Sequence, residues 1–321
     1  MICVPDGTRS LPVRDALLAL REHLDDARVV VGLGLHRRMT AEELAVYDVG
    51  WPIAQHDPDA CTDGVHPWVG TAELVLCVGV VELHQYAGFS GGWKAAIVGC
   101  GSREVLASLH SRAMVCHPDV QVGRLEGNPF RDRIDALGSR FDGFALQWTG
   151  AAWVGGEPAA ALRTAAGTLD CWEEVDGRWD QALLRVPPSK AVNLYQASRA
   201  ATYLGLSARP PLNEGALLVL DAACPEGIGQ GSGEVALSKL LAEGRPWAQL
   251  LTGEVPSGAG VQRAFMLARL LQRYELVVAG CENPEALRRL GFQATSVRAE
   301  EIAGVDALDV QDPFHKLPQA T

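Results

Sequence analysis

The sequence predicts an α/β protein of two domains built on largely parallel sheets. Three observations lead there. The chain has 321 residues, roughly twice the ~150 of a typical domain. Short β-branched or apolar runs alternate with helical patterns, the rhythm of strands joined by crossover helices. Hydrophobic residues make up 48% and charged residues 21%, a globular composition that excludes disorder, coiled coils and fibrous repeats.

The elements follow in chain order. AspGlyThrArg (Asp6, Gly7, Thr8, Arg9) comes after a short apolar strand and before the helical pattern LeuProValArgAspAlaLeuLeuAlaLeu. This turn can offer a carboxylate to a ribose hydroxyl, or a hydroxyl and a guanidinium to a phosphate or carboxylate. A plain turn with a helix cap explains it equally well. The next strand is ArgValValValGlyLeu at 28–33. Thr40, with Glu43 three residues later, forms a capping box, so a helix follows. His36 then falls in the loop at the strand's carboxyl end, the edge where open α/β sheets bind ligands. The apolar run 74–81 is a further strand, about eight residues long, well short of the ~20 of a membrane span.

GlyAsnPro within 125–130 has turn chemistry and requires no function. TrpGluGluValAspGlyArgTrpAsp, 172–180, is polar and hairpin-like, and the domain boundary is placed there. AsnLeuTyrGlnAlaSerArg, 193–199, sets Gln196 and Arg199 at i, i+3 on one helical face. They form either a fork for a carboxylate or a solvated surface. A strand at 216–220 leads through a Gly-rich loop into a helix. A helix at 263–274, a strand at 275–279, a helix at 284–290 and a strand near 293–297 complete the second domain. The expected division is 1–172, 173–305 and a tail, 306–321, packing back on the N-terminal domain.

Charge narrows the partners. With 28 Lys+Arg against 39 Asp+Glu, the net charge is -11, the wrong sign for neutralising a phosphate backbone. No nucleic acid and no membrane is expected; a small molecule is. The first ten residues lack the build of a secretory signal, and no cysteine pair has CxxC spacing. The eight cysteines therefore read as buried thiols in a reducing cytoplasm.

The densest chemistry lies in 83–110, which holds His84, Gly88, Gly91, Gly92, Lys94 and His110. A glycine cluster lets backbone N–H groups approach a phosphate, and a lysine beside it supplies charge or a nucleophilic amine. It is not a Walker loop, because Ala95 follows the lysine, so ATP hydrolysis is disfavoured. His84 and His110 fit neither a helical metal pair nor a zinc ribbon. Each on its own reads as a structural histidine or a ligand.

Taken together, these pieces resemble the nickel-pincer-nucleotide lactate racemase family, the LarA-like proteins. The matching elements run in family order: AspGlyThrArg at 6–9, GlyLeuHisArgArgMetThrAlaGluGlu at 34–43, His84 with GlyPheSerGlyGlyTrpLys at 88–94, His110, LeuGluGlyAsnProPhe at 125–130, TyrGlnAlaSerArg at 195–199 and CysProGluGlyIleGly at 224–229. The ten-residue step from His84 to Lys94 and the sixteen-residue step from there to His110 match the family spacing.

The resemblance implies two α/β domains with the active site in the cleft between them. It implies a pyridinium-3,5-bisthiocarboxylic acid mononucleotide carrying nickel, held covalently by Lys94, with His110 as the protein ligand to the metal. His36 and His84 would be the acid/base pair. Asp6, Thr8, Arg9, Gly91 and Gly92 would hold the cofactor, and Arg9, Tyr195, Gln196 and Arg199 the substrate. The implied activity is racemisation or epimerisation of a small 2-hydroxy acid, by proton abstraction from the hydroxyl and reversible hydride transfer through a 2-keto intermediate. Cofactor-synthesis proteins would be its partners. A related dehydrogenase or dehydratase, or a non-catalytic cofactor-binding homologue, is the alternative.

The chain departs from that pattern in four places. Only five residues precede Asp6, so either the family's N-terminal strands are dispensable here or the start is truncated. ThrArgSer replaces ThrArgPro, and Arg199 stands in place of a lysine. Within 256–265 the family's aromatic residue is missing, and Gln262 and Arg263 occupy that region, which points to a larger or more polar substrate than lactate.

Overall fold

A computed structural model describes residues 1–255 and 260–321. They form two compact units, Met1–His110 with Arg124–Leu169, and Ser111–Gly123 with Asp170–Thr321. Both are α/β with parallel sheets, as the alternation of runs predicts.

The strands of the first unit are β1 (Ile2–Pro5), β2 (Val29–Gly32), β3 (Ile53–Gln55), β4 (Val75–Val80), the hairpin β5 (Leu83–His84) and β6 (Gly88–Phe89), β7 (Gly143–Trp148) and β8 (Trp153–Gly156). Its main sheet has the order β3-β2-β1-β4-β7-β8, parallel except for the last pair. β4 is buried along its whole length, which is why it reads as an unbroken apolar run rather than an alternating one. Ile2, Val4, Val29, Val31 and Val78 share a core with Val13 and Leu17 of the helix Val13–Arg21. Each such side chain contributes about 1.5–3 kcal/mol relative to exposure.

The strand order fixes where a ligand can sit. The chain steps outward from β1 to β2 and β3, then returns to β4 on the other side of β1. Connections therefore diverge above the carboxyl ends of β1 and β4, and open α/β sheets bind ligands in such a crevice. The residues emerging there are Asp6–Arg9 after β1, the segment with Glu82 and His84 after β4 and, from the neighbouring β2, the loop to His36.

The second unit contains β9 (Trp172–Val175), β10 (Trp179–Arg185), β11 (Leu212–Asp221), β12 (Glu275–Ala279), β13 (Gln293–Ala294), β14 (Leu308–Val310) and β15 (Leu317–Ala320). Five of these form a parallel sheet in the order β13-β12-β11-β10-β14. The hairpin expected at 172–180 does not form. β9 pairs in parallel with β15, while β10 pairs with β11 and β14. The segment 306–321, expected against the N-terminal domain, thus ends in a strand paired within the second unit. Ser111–Gly123 is tied into the same unit by Arg269 Nη1, which donates to Val115 O at 2.8 Å. All eight cysteines are free thiols. No helix among the described residues is long and apolar enough to cross a membrane.

Candidate functional site

The turn after β1 organises the first group. Asp6 is buried, yet its carboxylate accepts from Thr8 Oγ1 at 2.5 Å and Thr8 N at 3.3 Å, and pairs with His36 Nδ1 at 2.7 Å. Burial alone would raise the Asp6 carboxyl, but hydrogen bonds from His36 and Thr8 and the His36 charge outweigh it, holding the group below its ordinary value. An ionised carboxylate only accepts, so His36 Nδ1 carries a proton, and in the neutral ring Nε2 is the nitrogen with the lone pair. The His36 ring is exposed. The Asp6 carboxylate, held by Thr8, is thereby placed to orient the His36 ring.

Arg9, at the end of the same turn, pairs with Glu82. Glu82 is fixed by Ser90: its N–H donates to Ser90 Oγ at 3.1 Å, and Ser90 N–H donates to its carbonyl at 2.9 Å. The turn after β1 is therefore tied to the segment leading into His84. That glutamate has no motif of its own in the sequence.

His84 has the opposite arrangement to His36. Its Nδ1 accepts from the backbone N–H of Ala87 at 3.1 Å and of Tyr86 at 3.3 Å. Two converging donors keep Nδ1 unprotonated, so the neutral ring carries its proton on Nε2. When both rings are neutral, the two histidines present different nitrogens, a lone pair on His36 Nε2 and an N–H on His84 Nε2.

Lys94 follows a loop with little freedom. Gly88 has φ +72, and a Cβ there would lie 2.0 Å from Arg124 O; Gly91 has φ +103, and a Cβ would lie 2.2 Å from Gln147 Oε1. Only glycine fits either position. The Gly92 N–H donates to the same Gln147 oxygen at 2.9 Å, while Gln147 Nε2 donates to Cys77 O at 3.2 Å. From Lys94 the chain enters a π-helix, Ala95–Gly99, a wide turn frequent at functional sites. The half-buried Lys94 thus stands at the junction of a rigid loop and that helix.

His110 ends the helix Arg103–Leu109. Its Nδ1 donates to Leu106 O at 2.8 Å, leaving Nε2 with a lone pair. Its ring meets Tyr86 and Phe130 edge-on, with centroids at 5.7 and 5.5 Å. Burial pushes its pKa down to about 4, opposed by the Leu106 carbonyl and reinforced by the Lys94 charge. A neutral imidazole whose other nitrogen is anchored to a backbone carbonyl is the usual form of a metal-binding histidine. Among the described residues no group of three or more His, Cys, Asp or Glu is placed to hold a metal ion.

In the second unit, Tyr195, Gln196 and Arg199 lie on the helix Leu194–Gly205, capped by Asn193 Oδ1, which accepts from Gln196 N at 3.0 Å. All three are partly exposed, and Arg199 Nε has no hydrogen-bond partner among the described residues. Arg263 is buried, with its guanidinium 5.6 Å from the Tyr195 ring centroid and Nη1 donating to Thr202 Oγ1 at 3.1 Å. Of the stretch 256–265, expected to lack the family's aromatic residue, residues 256–259 lie outside the described residues.

Comparison with known proteins points one way. A family model described as "Lactate racemase N-terminal domain" matches residues 65–123, which include His84, Lys94 and His110. The lactate racemase of Thermoanaerobacterium thermosaccharolyticum is 26% identical over 162 residues, 42% of this chain and 38% of that protein. The lactate racemase of Lactiplantibacillus plantarum is 29% identical over 152 residues, 40% of this chain and 36% of the relative. The matched region thus spans well under half the length of either curated relative. The solved lactate racemase apoprotein from T. thermosaccharolyticum superposes with TM-score 0.85 at 18% identity, covering 99% of this chain and 86% of that one. A Thermotoga maritima protein superposes with TM-score 0.70 at 12% identity, covering 100% and 93%. The chain is similar to lactate racemases in sequence over part of its length and to a solved lactate racemase in fold over almost all of it.

Proposed function

We propose that this chain is a racemase or epimerase of a small 2-hydroxy acid, working with a nickel-pincer nucleotide joined to Lys94 and with His110 as the nickel's protein ligand. The observation that carries the reading is two histidines at the carboxyl edge of one sheet with opposite partners at Nδ1, the Asp6 carboxylate for His36 and two backbone N–H groups for His84. When bound, the nucleotide would supply a reversible hydride acceptor for the hydrogen on the carbon bearing the hydroxyl.

The side chains do the rest. His36 Nε2 takes the substrate's hydroxyl proton, and Asp6 stabilises the imidazolium that results, as a buried carboxylate does for a general base. His84 Nε2–H donates to the oxygen as it becomes a carbonyl and disfavours an anion free in solvent. His36 returns its proton to the oxygen when the planar keto acid is reduced on the face the hydride left, and when the keto acid turns to offer its other face, which carries the oxygen away from His36, His84 would give the proton instead. Arg9, Gln196 and Arg199 bind carboxylate or cofactor anions, with Tyr195 beside them, and the Arg9–Glu82 pair sets the direction of the first of these guanidinium groups. Thr8, Gly91 and Gly92 shape the backbone on which the cofactor would rest.

The test is a panel of chiral 2-hydroxy acids given, one enantiomer at a time, to the chain produced together with cofactor-synthesis proteins. Chiral chromatography should show both enantiomers converging on one mixture without net oxidation. Accumulation of a keto acid or loss of water would instead favour the dehydrogenase or dehydratase alternative, and no turnover of any member would contradict the reading.

A further inference from the structure

The loop before Lys94 is held from beneath by a side chain outside every motif above. Arg131, in the first turn of the helix Pro129–Gly138, is 2% exposed. Its guanidinium donates to three backbone carbonyls of that loop: Nη2 to Phe89 O at 2.6 Å, Nε to Ala87 O at 3.3 Å and Nη1 to Gly91 O at 3.3 Å. Asp135 Oδ1 lies 3.5 Å from Nη1. Asn128, which caps the same helix, donates to Tyr86 O at 2.8 Å and Arg124 O at 3.0 Å. One helix terminus thus gathers the carbonyls of residues 86, 87, 89 and 91.

A loop can be tied with neutral groups, and burying a cation costs several kcal/mol of lost hydration. A guanidinium offers what neutral groups lack, five donors in one rigid plane that can join several carbonyls at fixed relative positions. Those carbonyls come from alternate residues of the segment ending three positions before Lys94, while Gln147 holds the next N–H from another side.

We propose that Arg131 is a positioning residue for Lys94, fixing the 87–91 backbone so that the amine is presented in one place. The proposal rests on the reading of Lys94 as the cofactor-bearing residue. Loosening the clamp should release the amine, not merely lower stability.

The experiment uses the full chain without cofactor. Trace acylation with a succinimidyl ester, quantified by peptide mass spectrometry, reports the reactivity of Lys94 against Lys190, Lys239 and Lys316 as references within the same molecule. In Arg131→Gln, Lys94 should label about threefold faster or more relative to those references, equivalent to roughly half a pK unit of altered environment. Arg131→Lys should fall between, because an ammonium reaches fewer carbonyls. Unchanged relative labelling of Lys94 in a folded variant, or a change shared by all four lysines, would overturn the proposal. Should Arg131→Gln fail to fold, Arg131→Lys decides the matter by the same comparison. A mass adduct on Lys94 in the cofactor-loaded wild type tests the underlying reading separately. Its absence would sink that reading, while the labelling result would still decide whether Arg131 positions the amine.

Discussion

Asp6→Asn is the sharpest perturbation of the proposed chemistry. The carboxylate accepts from Thr8 twice through Oδ1 and from His36 Nδ1 through Oδ2. An asparagine keeps one acceptor oxygen and gains an NH2. With the oxygen turned to the two Thr8 donors, the NH2 faces His36 Nδ1, which must then accept. The ring proton moves to Nε2, and the lone pair that takes the substrate proton is lost. A charge-assisted hydrogen bond is worth about 1.5–3 kcal/mol, so the productive tautomer falls by roughly one to two orders of magnitude. The loss of the carboxylate's support for the imidazolium adds to that. We expect kcat for both enantiomers to drop about a hundredfold or more with KM little changed. Imidazole 15N chemical shifts should show His36 moving from an Nδ1–H to an Nε2–H form, a readout that needs no cofactor. A variant that keeps Nδ1–H on His36 and racemises within about threefold of wild type would refute the reasoning.

Other consequences can be checked independently. Gly91→Ala puts a methyl group 2.2 Å from Gln147 Oε1 at φ +103. It should cost about 1–3 kcal/mol, seen as a lower denaturation midpoint; an unchanged midpoint would mean the loop is softer than described. Gln147→Leu leaves the buried Gly92 N–H without its acceptor and should cost about 1–3 kcal/mol by denaturant titration, a prediction that full retention of stability would defeat. Burial holds His56 below its ordinary 6.5, against a hydrogen bond to the Gly101 carbonyl. The unfolded chain then binds more protons as pH falls below 6.5, and the folded state loses stability over that range. His56→Gln should flatten the pH dependence of the melting temperature there; two superimposable profiles would assign the acid sensitivity elsewhere.

Features written locally in the sequence were legible. The strand Glu275–Ala279 falls on the β-branched run that predicts it. The capping box of Thr40 and Glu43 forms both of its bonds, at 3.2 and 2.7 Å. What escaped prediction depends on partners distant in sequence. Two polar strands close together at 172–180 suggest a hairpin, yet the partner of β9 is the strand Leu317–Ala320. Asp6 offers a carboxylate after a strand, which fits a ribose contact as well as anything, and His36 is 30 positions away. LeuGluGlyAsnProPhe shows turn chemistry and nothing else, although Asn128 and the adjacent Arg131 reach carbonyls 42 positions back. Periodicity and capping are rules about neighbours, so they find elements but do not reveal which side chain aims or braces another.

Nothing reaches the proposed chemistry as directly as the intact and native mass of the chain, with its nickel content, after production together with cofactor-synthesis proteins. Wild type should carry a nucleotide-sized adduct mapping to Lys94 and about one nickel per chain. Lys94→Ala should lose the covalent adduct, and His110→Ala should keep the adduct but hold nickel poorly. Wild-type protein with neither adduct nor nickel, under denaturing and native conditions alike, would contradict the account.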